Sequence, residues 1–504
     1  MVEKTLTPAA VLSRCFVRAP KPSVLALENR IAPAVSIVTD IYSGLSSGVN
    51  HTNGQKPHTA SEMISVNGVA FFEATNASNG SELWKSDGTS NGTVIVKDIN
   101  PGSSSSSPKF LTNLNGVLYF VANDGTTGDE LWKSDGTASG TTRVKDINSG
   151  SLGSSISSIK NLNGTLYFGA NDGTTGKELW KSDGSASGTV LVKDIHTGST
   201  SGIPNSSGPG QFTLCGSSVF FAAMNNTNGR ELWKTDGTTS GTLIVKDIYV
   251  GLSPSSPKNL CNNNGSNGYE LWKSDGTSSG TVLVKDIRPG NGSSSPGMSA
   301  ATNDSPQYNI LSKNGLLYFA ANDGTNGIQL WKSDGTASGT NVVKNIGTST
   351  TSSATWLTEC NGSIFFYQSG KNPNGNLWKT DGTDAGTILL KSFSYFYYME
   401  NVGGTLFFAA NDHQMASQQP NLGIELWKSD GTTSGTVLVS DIRPGSPSTD
   451  SYPNDFVLAN GTVFFSANDG SHGFELWKYQ NNQVPSAISL SSTTLSENNA
   501  IGTN

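Results

Sequence analysis

The phrase Glu130-Leu131-Trp132-Lys133-Ser134-Asp135-Gly136-Thr137 decides how this chain folds, because it recurs along most of its length. Leu-Trp-Lys occurs nine times, with tryptophans at Trp84, Trp132, Trp180, Trp233, Trp272, Trp331, Trp378, Trp427 and Trp477. Eight of the nine copies continue as Ser/Thr-Asp-Gly-Thr/Ser, and successive tryptophans lie 48, 48, 53, 39, 59, 47, 49 and 50 residues apart. Self-similarity at such a period marks one supersecondary unit copied until neighbouring copies bury one another. The 504 residues therefore do not imply several domains, since each copy extends a single core.

Residues 109–147 show the unit clearly. Lys109 to Leu114 is an apolar-rich run that ends at Asn115-Gly116, a hairpin signal. Val117 to Ala122 follows, then a turn at Asn123-Asp124-Gly125. Glu130 to Lys133 makes a third strand, and Thr142 to Ile147 makes a fourth after Asp135-Gly136-Thr137. Four short strands joined by tight turns form an antiparallel meander. Val117 to Ala122 is apolar on both of its faces, which requires cover on both sides. Without helices, that cover is the neighbouring sheets, and sheets stacked radially make a β-propeller.

The two ends of the chain point to closure. The ninth copy loses the pattern after Trp477-Lys478, whereas Ile37-Val38-Thr39-Asp40-Ile41 matches the fourth strand Ile95-Val96-Lys97-Asp98-Ile99. An N-terminal strand that completes the last blade would leave no open sheet edge. The expected fold is thus all-β: a closed β-propeller of eight to nine four-stranded antiparallel blades over residues 35–482. Residues 1–34 form an irregular or targeting leader, and 483–504 a linker and tail. The blade count stays open because the copy between Ile248 and Glu270 is short and lacks a Leu-Tyr-Phe strand. The nine tryptophans read as packing between blades, since a tryptophan buries about 150–250 Å².

Bulk properties narrow the function classes. A net charge of −7 with only seven arginines gives no electrostatic case for nucleic acid. No stretch of 18 apolar residues exists to span a membrane as a helix. Cys215, Cys261 and Cys360 fall in nearly the same slot of different copies, which Leu114 and Leu162 fill elsewhere. They read as small buried hydrophobes, too far apart for disulfides, and no Cys/His pair has ligand spacing.

Three resemblances add expectations. The repeat Glu-Leu-Trp-x-x-Asp-Gly-Thr closely resembles the bacterial ELWxxDGT repeat family over roughly residues 35–480. That implies large secreted or cell-surface proteins of unassigned biochemical activity. Ala170-Asn171-Asp172-Gly173-Thr174-Thr175-Gly176-Lys177-Glu178-Leu179-Trp180 resembles the tryptophan-docking motif of quinoprotein dehydrogenase propellers, where it implies a lock between blades. The vicinal cysteines of those enzymes are missing, so the likeness brings no quinone. Ala487 to Glu497 resembles the start of a cadherin-like repeat, in which Glu497 would be a calcium ligand. Leu27-Glu28-Asn29-Arg30 with Pro33-Ala34 is similar to a segment ahead of many large exported planctomycete proteins.

Candidate sites are few. Asp124, Asp172, Asp323 and Asp469, in Asn-Asp-Gly turns, are weak calcium candidates beside Glu497. Their other reading is structural, an aspartate bonding its own turn. Five scattered histidines form no triad or metal pair. The run Phe393-Ser394-Tyr395-Phe396-Tyr397-Tyr398 breaks the repeat, so Tyr395, Phe396 and Tyr397 are possible ligand-facing residues, with burial between blades as the alternative. No catalytic residue and no cofactor other than possible calcium is identified. The expectation is a non-catalytic, exported or cell-surface propeller acting as a binding or adhesion scaffold, with a polysaccharide or an envelope or surface protein as partner. The alternatives are a polysaccharide-active propeller enzyme with its site in the irregular insertions, and a purely structural surface-layer component.

Overall fold

The computed structural model describes residues 34–49, 63–258, 261–297, 309–346, 353–369, 375–412, 423–445 and 449–480. Among them there is no helix, and hence none long and apolar enough to cross a membrane. Val35–Tyr479 is one compact unit. The leader, the insertion 414–422 and Glu497 with the tail lie outside the described residues.

The repeating element is a four-stranded antiparallel meander. In the second repeat the strands are Lys109–Leu114, Val117–Asn123, Asp129–Ser134 and Thr142–Lys145, paired in sequence order. Leu118 to Ala122 is buried throughout, as a strand covered on both faces must be. Phe120 pairs with Trp132 across the central hairpin, and the ladder slips between Leu131 and Trp132. The same slip precedes the tryptophan in repeats 1, 3, 4, 5, 7 and 8.

Hydrophobic clusters join each sheet to the next. Trp132 lies with Phe71, Leu83 and Val96 of the first repeat, and Trp180 with Tyr119, Leu131 and Val144 of the second. A conserved geometry of lysines reinforces this packing: Lys97 Nζ donates to the Thr141 carbonyl at 2.8 Å and Lys145 Nζ to the Thr189 carbonyl at 2.7 Å. Both ammonium groups lie over the tryptophan of the next repeat, 5.9 and 5.8 Å from the ring centres. The Asp-Gly-Thr glycine is dictated by the same interface. Gly184 has φ +93°, and a Cβ there would stand 2.0 Å from Tyr119 Oη of the previous repeat.

Ala34–Thr39 pairs with the last strand of the chain, Phe474–Gln480, in the order expected of a shared final sheet. Val38, Phe464 and Leu476 pack with Ala70, Phe72 and Trp84 of the first repeat.

Three expectations change. The short fifth repeat holds three described strands, Cys261–Asn263, Tyr269–Lys273 and Val282–Lys285. Cys261 pairs with Leu271 as Val121 pairs with Leu131, so it stands in a second strand and not in the slot of Cys215 and Cys360. The deletion removed one arm of the inner hairpin, and the segment before Glu-Leu-Trp-Lys pairs as the remaining arm. Cys360 is buried, whereas Cys215, expected to be buried as well, is exposed. Repeats 6 and 7 run into one sheet through a parallel pair, Ile328 with Ser353, where the sixth repeat's fourth strand shrinks to Asn341–Val342.

Candidate functional site

The glutamate before Leu-Trp is the first functional-looking group, and its role is structural. Glu178 is fully buried and accepts the Ile195 and Ser207 N–H groups, both at 2.8 Å, and the Ser207 hydroxyl at 2.6 Å. Glu231 and Glu270 repeat the pattern with Ile248 and Ser255, and with Ile287 and Ser294. Each carboxylate ties a third strand to the link that crosses into the next repeat. Glu475 does this across the ends of the chain, accepting from Ile41 N, Tyr42 N and Gly48 N at 3.0, 3.3 and 2.8 Å. The sequence carried the signal, a glutamate before Leu-Trp in seven of nine copies, but its partners lie 17 to 29 residues away.

Burial holds the carboxyls of these glutamates above their ordinary range, to about 7 for Glu130 and Glu475 and about 8 for Glu425. The Asp-Gly-Thr aspartates are held low, by the hydroxyl and N–H of the threonine two residues on, as at Asp135 and Asp236. An acid with a raised folded pKa weakens the fold at high pH, and that penalty lifts as pH falls from the folded value to the unfolded one near 4.5. An acid with a lowered pKa supports the fold above its unfolded value near 3.8 and loses that support below it. Thermal stability is therefore expected to rise from pH 8 to about pH 5.5 and to fall below about pH 4. A melting temperature that drops steadily from pH 8 to pH 5.5 would contradict this.

The calcium candidates are committed to their own turns. Asp124 Oδ1 accepts the N–H groups of Thr126 and Thr127 at 2.9 and 2.8 Å and both their hydroxyls. Burial opposes ionisation there, but these four bonds win and hold the carboxyl at about 2. Asp172, Asp323 and Asp469 make the same turn, with His472 Nδ1 at 2.7 Å from Asp469 Oδ2. Among the described residues no three His, Cys, Asp or Glu side chains come together to hold a metal.

The aromatic run divides. Phe396 is buried between repeats 7 and 8, stacked on Tyr367 at 4.5 Å and on Phe408 at 5.0 Å, so it does not face a ligand. The cause is register: Tyr395, Phe396 and Tyr397 pair regularly with Asn411, Ala410 and Ala409, so strand alternation puts Tyr395 and Tyr397 on the face opposite Phe396. Tyr395 is 45% exposed. Tyr397 is half-buried, its ring edge-on to Tyr452 at 6.0 Å and 74°.

Tyr452 and its neighbour Asp450, neither legible as special in the sequence, complete the cluster. Tyr452 has φ +45° and follows Ser451, whose hydroxyl donates to Glu425 at 2.7 Å. The same position is Ser107, Ser155, Ser256 and Ser295 in other repeats, each with φ near +50°, and Gly208 in the fourth. Any residue with a Cβ pays about 1–3 kcal/mol in this region, so serine and tyrosine share the cost and Gly208 avoids it. Asp450 Oδ1 accepts the Ile424 N–H at 2.7 Å, and the Tyr452 hydroxyl donates to the Asp450 carboxylate. Burial, this bond and the nearby charges push the Tyr452 hydroxyl up to about 12, so it stays a protonated donor. Tyr395 pairs with Asn411, which places the cluster at the end of the sheet where the Asn-Asp-Gly turns lie.

No protein-family model and no curated protein sequence matches the chain. Among solved structures, a puromycin hydrolase is 13% identical, with a TM-score of 0.39 over 84% of this chain and 61% of that one. The β-propeller domain of the Trilobed protease from Pyrococcus furiosus is 10% identical, with a TM-score of 0.35 over 76% and 98%. The computationally designed protein Ika8 is 12% identical, with a TM-score of 0.39 over 86% and 99%. The chain spans about three fifths of the puromycin hydrolase it matches. At this distance no residue or activity transfers. The natural neighbours named are peptidases, prolyl endopeptidases among them. The expectation of a non-catalytic adhesion scaffold is withdrawn on that comparison.

Proposed function

We propose that this chain is an exported β-propeller of the ELWxxDGT kind, active on polysaccharide, that holds its substrate on the tyrosine cluster of repeats 8 and 9. A ring of nine repeats, one of them reduced, is supported by contacts between its ends. Lys478 Nζ donates to the Gly88 carbonyl at 2.8 Å, as Lys85 does to Gly136 within the array. The leader's likeness to exported proteins supports secretion.

One observation carries the functional reading: repeats 8 and 9 place tyrosines, Tyr395 and Tyr452, in a slot that repeats 2 to 6 give to serine or glycine, and with Tyr397 they gather at one rim beside Asp450. A repeat that departs from its own rule at one rim marks a place where something other than folding decides the residue. Tyrosine faces suit stacking against sugar rings, while the Tyr452 hydroxyl and Asp450 carboxylate supply a donor and an acceptor for sugar hydroxyls. Asp450 is the carboxylate at the platform and the group assigned to proton transfer.

Release of reducing ends from a panel of polysaccharides tests this. Tyr452→Ser is expected to lower turnover at least tenfold, and Asp450→Asn about a hundredfold, with both variants folded. Folded protein that releases nothing from any polymer, or turnover that survives both substitutions, would overturn the proposal.

A further inference from the structure

Between the glycine and the glutamate that open each third strand stands the residue that changes most from copy to copy. In repeats 5, 6, 8 and 9 it is Tyr269, Ile328, Ile424 and Phe474; in repeats 2, 3 and 4 it is Asp129, Lys177 and Arg230. The backbone does the same work in each case. The carbonyls of Asp129, Lys177 and Arg230 accept from Ser154, Gly208 and Ser256 at 2.9, 3.2 and 2.9 Å. Only the side chains differ, so their chemistry is free to serve something else.

Two of these side chains lack a counter-charge. Lys109, at the start of the second repeat's first strand, pairs with Asp129. The Lys177 ammonium, half-buried, has no hydrogen-bond or ion-pair partner among the described residues. The Arg230 guanidinium donates from Nη1 to the Gly208 carbonyl and meets no carboxylate among the described residues. Lys160, exposed on the first strand of repeat 3, adds a further cation. Lys177 and Arg230 thus stand in adjacent repeats as two partly buried cations with no carboxylate partner among the described residues, in a chain whose net charge is −7. Partly burying unpaired cations is costly unless an anion completes them. Lys177 pairs with Asn171 and Asp129 with Asn123, so these groups lie at the same Asn-Asp-Gly end as the tyrosine cluster.

We infer that the substrate is an acidic polysaccharide whose uronate carboxylates are taken by Lys177 and Arg230 while its sugar rings lie on Tyr395, Tyr397 and Tyr452. This rests on the polysaccharide reading above and names the class of polymer. A planar guanidinium fork matches a carboxylate in two parallel bonds, and a lysine beside it adds a point charge. With packed sheets about 10 Å apart, the mouth of a nine-repeat ring is on the order of 20–30 Å across, within the span of a short oligosaccharide.

Titration of the full chain with hexagalacturonate, a neutral glucose hexamer and a sulfated hexamer tests the assignment. Wild type is expected to bind hexagalacturonate at least tenfold more tightly than the neutral hexamer. Lys177→Gln with Arg230→Gln is expected to abolish that preference while neutral binding stays unchanged, from protein that remains folded. Equal binding of acidic and neutral hexamers overturns the inference and leaves the tyrosine platform standing, as does acidic binding that survives the double substitution. Tightest binding of the sulfated hexamer, lost in the double variant, overturns the uronate assignment. Acidic binding that is lost in the double variant but survives Tyr452→Ser overturns the platform and keeps the cation site. Absence of binding by every hexamer overturns both.

Discussion

Removing residues 1–41 is expected to cost more stability than any single substitution in the chain. The strand Ala34–Thr39 is the fourth strand of the last sheet, and without it Phe474–Gln480 becomes an open edge. Val38, only 8% exposed, leaves a cluster that holds Phe72, Trp84, Phe464 and Leu476 from both ends of the array. Burying one such side chain contributes about 1.5–3 kcal/mol, and Val35 and Ile37 are lost with it from the neighbouring cluster. Glu475 loses the Ile41 N–H at 3.0 Å and keeps a buried carboxylate with fewer donors. A hydrogen bond to a charged group is worth about 1.5–3 kcal/mol. The sum is on the order of 5–10 kcal/mol, comparable with the whole stability of an ordinary domain at about 5–15 kcal/mol. The truncated chain is expected to unfold at far lower denaturant and to self-associate through the exposed edge in gel filtration. A monomer that melts within a few degrees of the full chain would show that the terminal strand does not close the array.

Trp180→Ala is expected to have the second largest effect, about 3–5 kcal/mol. Trp180 is almost wholly buried against Leu131, Val144 and Phe168, in a cluster drawn from repeats 2 and 3, so truncation opens a cavity at an interface and not only within one sheet. Lys145 loses the ring beneath its ammonium, 5.8 Å away. Trp378→Ala is the internal control. That ring is only partly buried, so it should cost less, although the loss of its indole N–H bond to Gln368 at 3.1 Å offsets part of the difference. Equilibrium unfolding of both variants checks the order. Equal losses would mean that burial between repeats is not what the tryptophan supplies.

The repeating part of this fold was open to reading because local signals and global packing agree there. Asn115-Gly116 and Asp135-Gly136 mark turns, and the apolar run Val117 to Ala122 demands cover on two faces whatever the neighbours are. The match of Ile37–Ile41 to Ile95–Ile99 pointed to the strand that pairs with Phe474–Gln480. What escaped depends on register and on distant partners. Phe396 and Tyr395 are neighbours in an aromatic run, and only their register, Phe396 opposite Ala410 and Tyr395 opposite Asn411, settles which of the two faces the next sheet. Cys261 shifted strands because a shortened repeat re-pairs with whichever arm remains. Tyr452 looks ordinary until its slot is compared with Ser107 and Ser155, whose positive φ shows what the position requires. Lys177 and Arg230 look like surface charges until the carbonyl of each is found in the same structural bond as that of Asp129.

The most direct test is the dissociation constant of Tyr452→Ser for hexagalacturonate, set against wild type under the same conditions. Serine occupies this position at the same positive φ in repeats 2, 3, 5 and 6, so the fold should tolerate the substitution. Binding at least tenfold weaker, from protein that melts no lower than wild type, is the expected result. An unchanged dissociation constant would contradict the account, because the tyrosine would then hold no sugar ring at this rim.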